Sequence, residues 1–438
     1  MRARRGTAAM ACALVAAWPA ASIAADGEAD EALGFDSEPN QQSDLEPIVV
    51  EVEEREGFLE GSSFSIKPRT YYLDRDRDTK PDNVGWALGG SLGYQSGWWL
   101  DRIQLAGTVY TSQVLYGPDD KDGTLLFKPG PEGFTVLGEA SATVRFGGGH
   151  GMRIGRQRFE LPYLGSHDIR MVPNTFEAVA IGKPASKGFG YMAGYVDKIK
   201  RKNDDEFIPM SEAAGVEGGD DGVVFAGAQY RFEGGTLVGA INQQTLDVFN
   251  TFFAKVEHPF QLGEGLSLGT FLQYTDQRSV GDELIGDFQT SLLAGKLELK
   301  TGNTTWRVGA STTDNEKGIQ KPYGNPANYL SVIVDDFDRA GEDAWMVGIS
   351  HDFGRRGPGK LSLFANVVSG DTPDTGPNAS PDEVEYDLTV DYRFSEGWSD
   401  SLSFRVRGAY VDQDERVAGG DDFFDFRIIV NYSFGLPR

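Results

Sequence analysis

From Phe424 to Phe434 every second residue is apolar or aromatic. Phe424, Phe426, Ile428, Val430, Tyr432 and Phe434 share one face, and Asp425, Arg427, Ile429, Asn431 and Ser433 share the other. A two-residue period is that of a strand with one greasy and one wet side. In a soluble sandwich the greasy side meets a core. In a membrane barrel it meets lipid, and the wet side faces a water-filled lumen. The pattern recurs in about 18 runs from Gly57 onward, which is channel size for a barrel. Examples are Val84-Trp86-Leu88-Gly90-Leu92-Tyr94 and Phe134-Val136-Gly138-Ala140-Ala142-Val144-Phe146.

The connections separate by length. Short ones (95–101, 147–150, 233–235, 301–303, 396–400) alternate with long ones (117–133, 160–175, 198–221, 313–342, 370–382, 411–421), and only Leu246-Asp247 breaks the rule. Short turns on one side and long loops on the other are the habit of outer-membrane barrels, whereas a sandwich has no reason for it. An even strand number places both termini on the periplasmic side, with Trp98-Trp99 in a girdle at a periplasmic turn. No run of about 18 apolar residues follows the leader, so no membrane-spanning helix is expected.

The leader reads as a signal peptide. Arg2, Arg4 and Arg5 precede an apolar stretch from Ala8 to Ala21, and Ser22-Ile23-Ala24 sets cleavage after Ala24. Cys12, the only cysteine, lies inside it, so disulfides, zinc–cysteine sites and thiol nucleophiles are excluded from the mature chain. Residues 25–56 carry twelve carboxylates against Arg55 and read as an acidic, disordered periplasmic tail. Within it, Glu46 to Val52 faintly resembles a TonB box, but a solvated tail is the expectation because no plug domain follows. The expected organisation is a signal peptide at 1–24, the tail at 25–56 and the barrel at 57–438. The formal charge of −25 disfavours nucleic acid.

Several motifs dissolve in context. Gly89-Gly90-Ser91-Leu92-Gly93 matches a nucleophile elbow but sits inside an alternating strand. Asp74 to Asp78 lacks the glycine and glutamate of a calcium loop and reads as a charged surface loop after the first strand. His150, His167, His258 and His351 show no ligand spacing. Lys198 to Lys202 reads as a solvated charge run, with contact to lipopolysaccharide phosphates as its functional alternative. No metal, cofactor or catalysis is expected.

The informative stretch is Gly155-Arg156-Gln157 followed by Leu161 to Glu177. By strand count it holds the third outer loop. It is too apolar to wave in water, and Pro162 and Pro173 stiffen it. Folded inward, it would bury its apolar residues and present Asp168 and Arg170 to the lumen. Tyr163, His167 and Asn174 complete the expected constriction set.

The same stretch, G-R-Q and then P-x-x-x-S-x-D-x-R-M-V-P-N-T-F-E, resembles the third-loop signature of the OprD-type porins, the substrate-specific carboxylate channels. Gly57 to Glu60 with Tyr71 to Asp76, Gln95-Ser96-Gly97, Ser401 to Arg407 and Asp425 to Tyr432 resemble other parts of that family in order. The resemblance implies an all-β transmembrane antiparallel up-and-down barrel of 18 strands, narrowed by inward loops and lined by basic residues that guide carboxylates. Strand parity independently turns Lys67, Arg69, Arg145, Arg153, Arg405, Arg407 and Arg427 inward, along with Glu139, Glu385, Asp387 and Asp391. Arg156 and Arg158 would join them only past a bulge. A row of guanidiniums suits carboxylates because each offers a planar fork.

The expected function is passive diffusion of small hydrophilic solutes, small carboxylates or amino acids, across a bacterial outer membrane. The expected partners are outer-membrane lipid, lipopolysaccharide and the barrel assembly machinery, in a monomer or trimer. The alternatives are a barrel-scaffold enzyme such as a lipase or protease, and a secreted β-rich adhesin.

Overall fold

The computed structural model describes residues 57–184, 187–396, 401–414, 417 and 419–436. The signal peptide and the acidic tail, residues 1–56, lie outside them. Among the described residues eighteen strands build one wall. In chain order they are β1 (Ser63–Arg77), β2 (Asn83–Gln95), β3 (Ile103–Tyr116), β4 (Phe134–Arg145), β5 (Gly151–Gln157), β6 (Thr175–Lys183), β7 (Gly188–Lys200), β8 (Val223–Arg231) and β9 (Leu237–Thr245). They continue as β10 (Phe249–Gly263), β11 (Leu266–Ser279), β12 (Gln289–Thr301), β13 (Thr304–Thr313), β14 (Asp343–Arg356), β15 (Gly359–Asp371), β16 (Glu383–Phe394), β17 (Leu402–Gln413) and β18 (Phe423–Tyr432). Each pairs antiparallel with the next, and β18 returns to β1, from Arg69 opposite Asn431 to Arg77 opposite Phe423. Closure leaves the wall without an edge, so every strand finds its backbone partners inside the sheet.

The outer face is the greasy one. Leu92, Val109, Ile181, Leu272, Trp306 and Leu388 are exposed on it, although each is large and apolar. Aromatic side chains gather at both ends: Trp86, Tyr116, Trp345 and Tyr386 toward the long loops, Phe64, Trp99, Phe189 and Phe232 toward the short turns. That is the lipid-facing band and its girdles. Of the tryptophan pair only Trp99 joins the girdle. Trp98 is buried, with the Arg145 guanidinium 4.4 Å from its ring centre.

Two sequence expectations change here. Asp74 to Arg77 form the end of β1, not a loop, because Arg75 and Arg77 point inward to Asp425 and Asp421 across the closing seam (2.7 and 2.6 Å). The β4 face is not uniform either. Phe134 and Val136 are buried inside while Leu137 is exposed outside, and a bulge at Gly138 then exchanges the faces. Gly89 and Gly90 in the elbow-like motif serve close strand approach: a Cβ on either would lie 2.0 Å from a backbone oxygen of the neighbouring strand.

The seam offers a stability test. Asp425 is fully buried and accepts from Arg427 (2.5 Å) and Arg75 (2.8 Å). Asp425→Ala would strand two inward cations, and breaking such a buried pair typically costs about 3–5 kcal/mol. The expected result is a lower denaturant midpoint, read by the folded band on unheated detergent gels. An unchanged midpoint would show that the seam does not need this carboxylate.

Candidate functional site

The interior is crossed by two loops. The third loop, residues 158–174, folds back as a small hairpin, Glu160–Leu161 against Leu164–Gly165, with Tyr163 at its tip in the left-handed region (φ 58°). Leu161, Tyr163, Leu164, Met171 and Val172 are buried. The Tyr163 hydroxyl reaches Thr275 Oγ1 on β11 (2.8 Å), and Pro162 O accepts from Gln243 Nε2 on β9 (2.6 Å). Thr275 and Gln243 are buried on the inner face. At the loop's other end Arg69 of β1 grips both Asp168 oxygens (2.6 and 3.2 Å) and donates to Arg170 O (2.6 Å). A segment that leaves β5 and touches β1, β9 and β11 on their inner faces spans the lumen.

The other expected loop residues support this path. Asn174 is buried and donates to Gly165 O (3.2 Å), closing the loop's neck. His167 (φ 44°) takes Asn325 Oδ1 on its backbone nitrogen (3.0 Å). Arg170 donates to Thr124 O of the second loop (2.9 Å). Tyr163, Arg170 and Asn174 therefore brace the loop, while Asp168 stands closest to open space.

The seventh loop, residues 314–342, has the sequence of a long outer loop. It folds inward too. Tyr323 hydroxyl bonds Thr245 of β9 (2.8 Å), and Ala327 O accepts from Tyr163 (3.1 Å). Farther along, Val334 N and Asp335 N donate to Glu385 of β16 (2.8 and 2.9 Å). The run Tyr329-Leu330-Ser331-Val332-Ile333-Val334 carries the same signal as the third loop, an apolar stretch inside a connection. Buried side chains of both loops merge with the inner faces of β6 to β15 into one apolar cluster.

The seven basic residues nominated by parity separate into groups. Lys67 on β1 is exposed and has no ion pair among the described residues. Arg153 on β5 is half-buried and donates to Thr143 Oγ1 (3.0 Å). Arg69 shares its charge with Asp168. Arg405 is buried and held by both oxygens of Asp391 (2.6 Å each). Arg407 is buried beside Thr389 (3.3 Å). Arg427 is 1% exposed, paired with Asp425 and capped by Ile333 O of the seventh loop (3.0 Å). Arg145 lies at the short-turn rim under Trp98, far along β4 from the loops.

Arg156 and Arg158 part company. Arg156 stays on the outer face with Glu177 (3.0 Å), among exposed Leu137, Ile154 and Val179. Arg158, just past β5, has a half-exposed side chain 3.5 Å from Glu139. The cationic wall is thus Lys67, Arg69, Arg153 and Arg158 on β1, β5 and the start of the third loop, facing Glu139 and Asp168.

Lys198 to Lys202 is not a solvated run. Lys200 is fully buried and donates to Pro173 O (2.7 Å) and Arg201 O (2.9 Å), and Lys202 Nζ meets His167 Nδ1 (3.2 Å). The run pins the fourth loop to the third. Burial and then the Lys202 ammonium push His167 down to about 3, so its ring is the neutral acceptor. Burial and then Arg170 push Lys202 down to about 7; Asp336 opposes this and Arg427 adds to it. A depressed lysine is charged below that value and neutral above it. Raising the pH from 6 to 8 should therefore remove the Lys202 charge beside the loop and reduce anion preference in a salt gradient. Lys202→Met should weaken that pH dependence. A wild-type response in the variant would assign the titration elsewhere.

Known proteins share this architecture. The family model for outer membrane porins of the OprD family matches residues 56–436. Porin D of Pseudomonas aeruginosa is 22% identical over 459 residues, covering 92% of this chain and 98% of that protein. The structure of Pseudomonas aeruginosa OpdK with vanillate superposes with a TM-score of 0.76 at 23% identity, over 87% of this chain and 100% of the other. A BenF-like porin from Pseudomonas fluorescens gives a TM-score of 0.77 at 22% identity, with the same coverage.

Proposed function

This chain belongs to the OprD family of outer-membrane porins, and from that premise we propose that its pore selects small carboxylates or amino acids. It is an outer-membrane barrel that passes small solutes; the choice among solutes is the proposal. One observation carries it. On the wall formed by β1, β5 and the start of the third loop, Lys67, Arg69, Arg153 and Arg158 have two ion-pair partners among the described residues, Asp168 at Arg69 and Glu139 at Arg158. That wall holds an excess of positive charge where two loops narrow the lumen. A carboxylate reaching it would exchange water for charge-assisted bonds to guanidinium forks. Selectivity then follows from lining charge and constriction width. OpdK was solved with vanillate, a carboxylate, which supports testing aromatic acids first.

The test is single-channel recording in planar bilayers with a panel of vanillate, benzoate, glutamate, arginine and a neutral sugar. Carboxylates should block the ionic current in a concentration-dependent way and the sugar should not. Cation selectivity with no block by any acid would reduce the protein to a general pore.

A further inference from the structure

Among the described residues Glu139 is the carboxylate that a wall strand, as distinct from the loops, brings to ion-pair distance of the cationic row. It faces inward because β4 is broken. Opposite β3, Val109 pairs with Leu137 and Thr108 pairs with Glu139, which leaves Gly138 unmatched. Without this bulge, the parity that buries Phe134 and Val136 inside would send Glu139 to lipid. Bulges are a common means of re-aiming one side chain at a functional site. The glycine is required: a Cβ at Gly138 would lie 2.7 Å from the Tyr110 ring.

That ring holds Glu139. The buried Tyr110 hydroxyl donates to Glu139 Oε1 at 2.5 Å, while Arg158 Nε stands 3.5 Å from the same oxygen. The tyrosine contact is a hydrogen bond. The arginine contact is too long for one and leaves the guanidinium with free donor capacity. Lys67 and Arg153 also lie within electrostatic reach of Glu139. The Arg158 side chain is 45% exposed and that of Glu139 is 18% exposed, so an arriving solute meets the arginine first.

We propose that Glu139 is a specificity-determining residue, the resident counter-ion that a passing carboxylate displaces from Arg158. This rests on the carboxylate reading of the pore. A channel must bind well enough to admit a solute and weakly enough to release it. Asp168 is committed to Arg69, so without Glu139 the remaining cations, Lys67, Arg153 and Arg158, would hold a carboxylate too long. Glu139 competes for Arg158 and hastens release, and Tyr110 keeps it from closing on the guanidinium for good.

The test compares Glu139→Gln, which keeps the size and the tyrosine contact, with Tyr110→Phe, which frees the carboxylate. Vanillate and glutamate serve as blockers in bilayers. In Glu139→Gln, block should strengthen by about tenfold, the scale of one charge-assisted hydrogen bond, with longer blocked intervals. In Tyr110→Phe block should weaken, and the double variant should behave like Glu139→Gln. In plain potassium chloride, with no carboxylate present, Glu139→Gln should also shift the reversal potential toward anions. A folded Glu139→Gln channel with an unmoved reversal potential would overturn the lumenal placement. A shifted potential with unchanged block would overturn displacement. If the unsubstituted channel shows no block at all, the carboxylate reading fails and displacement falls with it, a result visible before any variant is made.

Discussion

Deleting residues 164–172 should raise single-channel conductance several-fold while the barrel still folds. The third loop bridges Arg69 on β1 and Thr275 on β11, so its removal reopens a lumen wide enough in an 18-strand wall to carry water. The wall does not depend on it for closure, because the β1–β18 ladder and the Arg75–Asp425 pair lie outside the deleted segment. The deletion has a second signature. Removing Asp168 frees Arg69 from its bidentate partner, so anion preference should rise together with conductance. A wider hole alone would weaken selectivity, and the two outcomes are told apart by the reversal potential. The seventh loop limits the gain, since Tyr323 and Glu385 still anchor it across the interior. Unchanged conductance in a variant that migrates as a folded barrel would remove the third loop from the constriction.

Some of this architecture was legible in the chain and some was not, for physical reasons. Alternation at β14 and β18 and the separation of loop lengths give strand number and closure, because lipid on one side and water on the other force a two-residue period. The third loop was legible from Leu161, Tyr163 and Met171, which water would not leave exposed. The seventh loop carries the same signal in Tyr329 to Val334, but the polar and charged residues on either side dilute it. Parity told which side a residue faces and not how deeply it is covered. Arg427 points inward as expected, yet Ile333 and Asp425 enclose it. Bulges were the main obstacle. Gly138 and the left-handed Gly155 (φ 110°) are indistinguishable in sequence from the other glycines, and the first of them decides the side on which Glu139 emerges. Long-range pairs such as Lys202 with His167 leave no local pattern at all.

The sharpest discrimination between pore wall and pore lining comes from two double substitutions. Parity alone nominated Arg405 with Arg407 as much as any other basic pair. We propose that Lys67 with Arg153 outrank them as pore lining. Arg405 is bound by both oxygens of Asp391 and buried, so its charge is largely spent inside the wall. Arg405→Ala with Arg407→Ala would leave Asp391 without that partner, and the expected effect falls on stability more than on solute choice. Lys67 and Arg153 hold no carboxylate within ion-pair distance among the described residues. A charge-assisted hydrogen bond contributes about 1.5–3 kcal/mol, so losing one weakens binding roughly ten- to a hundredfold. Lys67→Ala with Arg153→Ala should therefore weaken carboxylate block by at least about tenfold, allowing for screening by water in the lumen. The strongly acidic long loops do not cancel this, because a solute at the constriction feels charges within about 8 Å at physiological salt. Block in the Lys67/Arg153 variant at wild-type strength, with block lost in the Arg405/Arg407 variant, would move the binding wall to the opposite side of the closing seam.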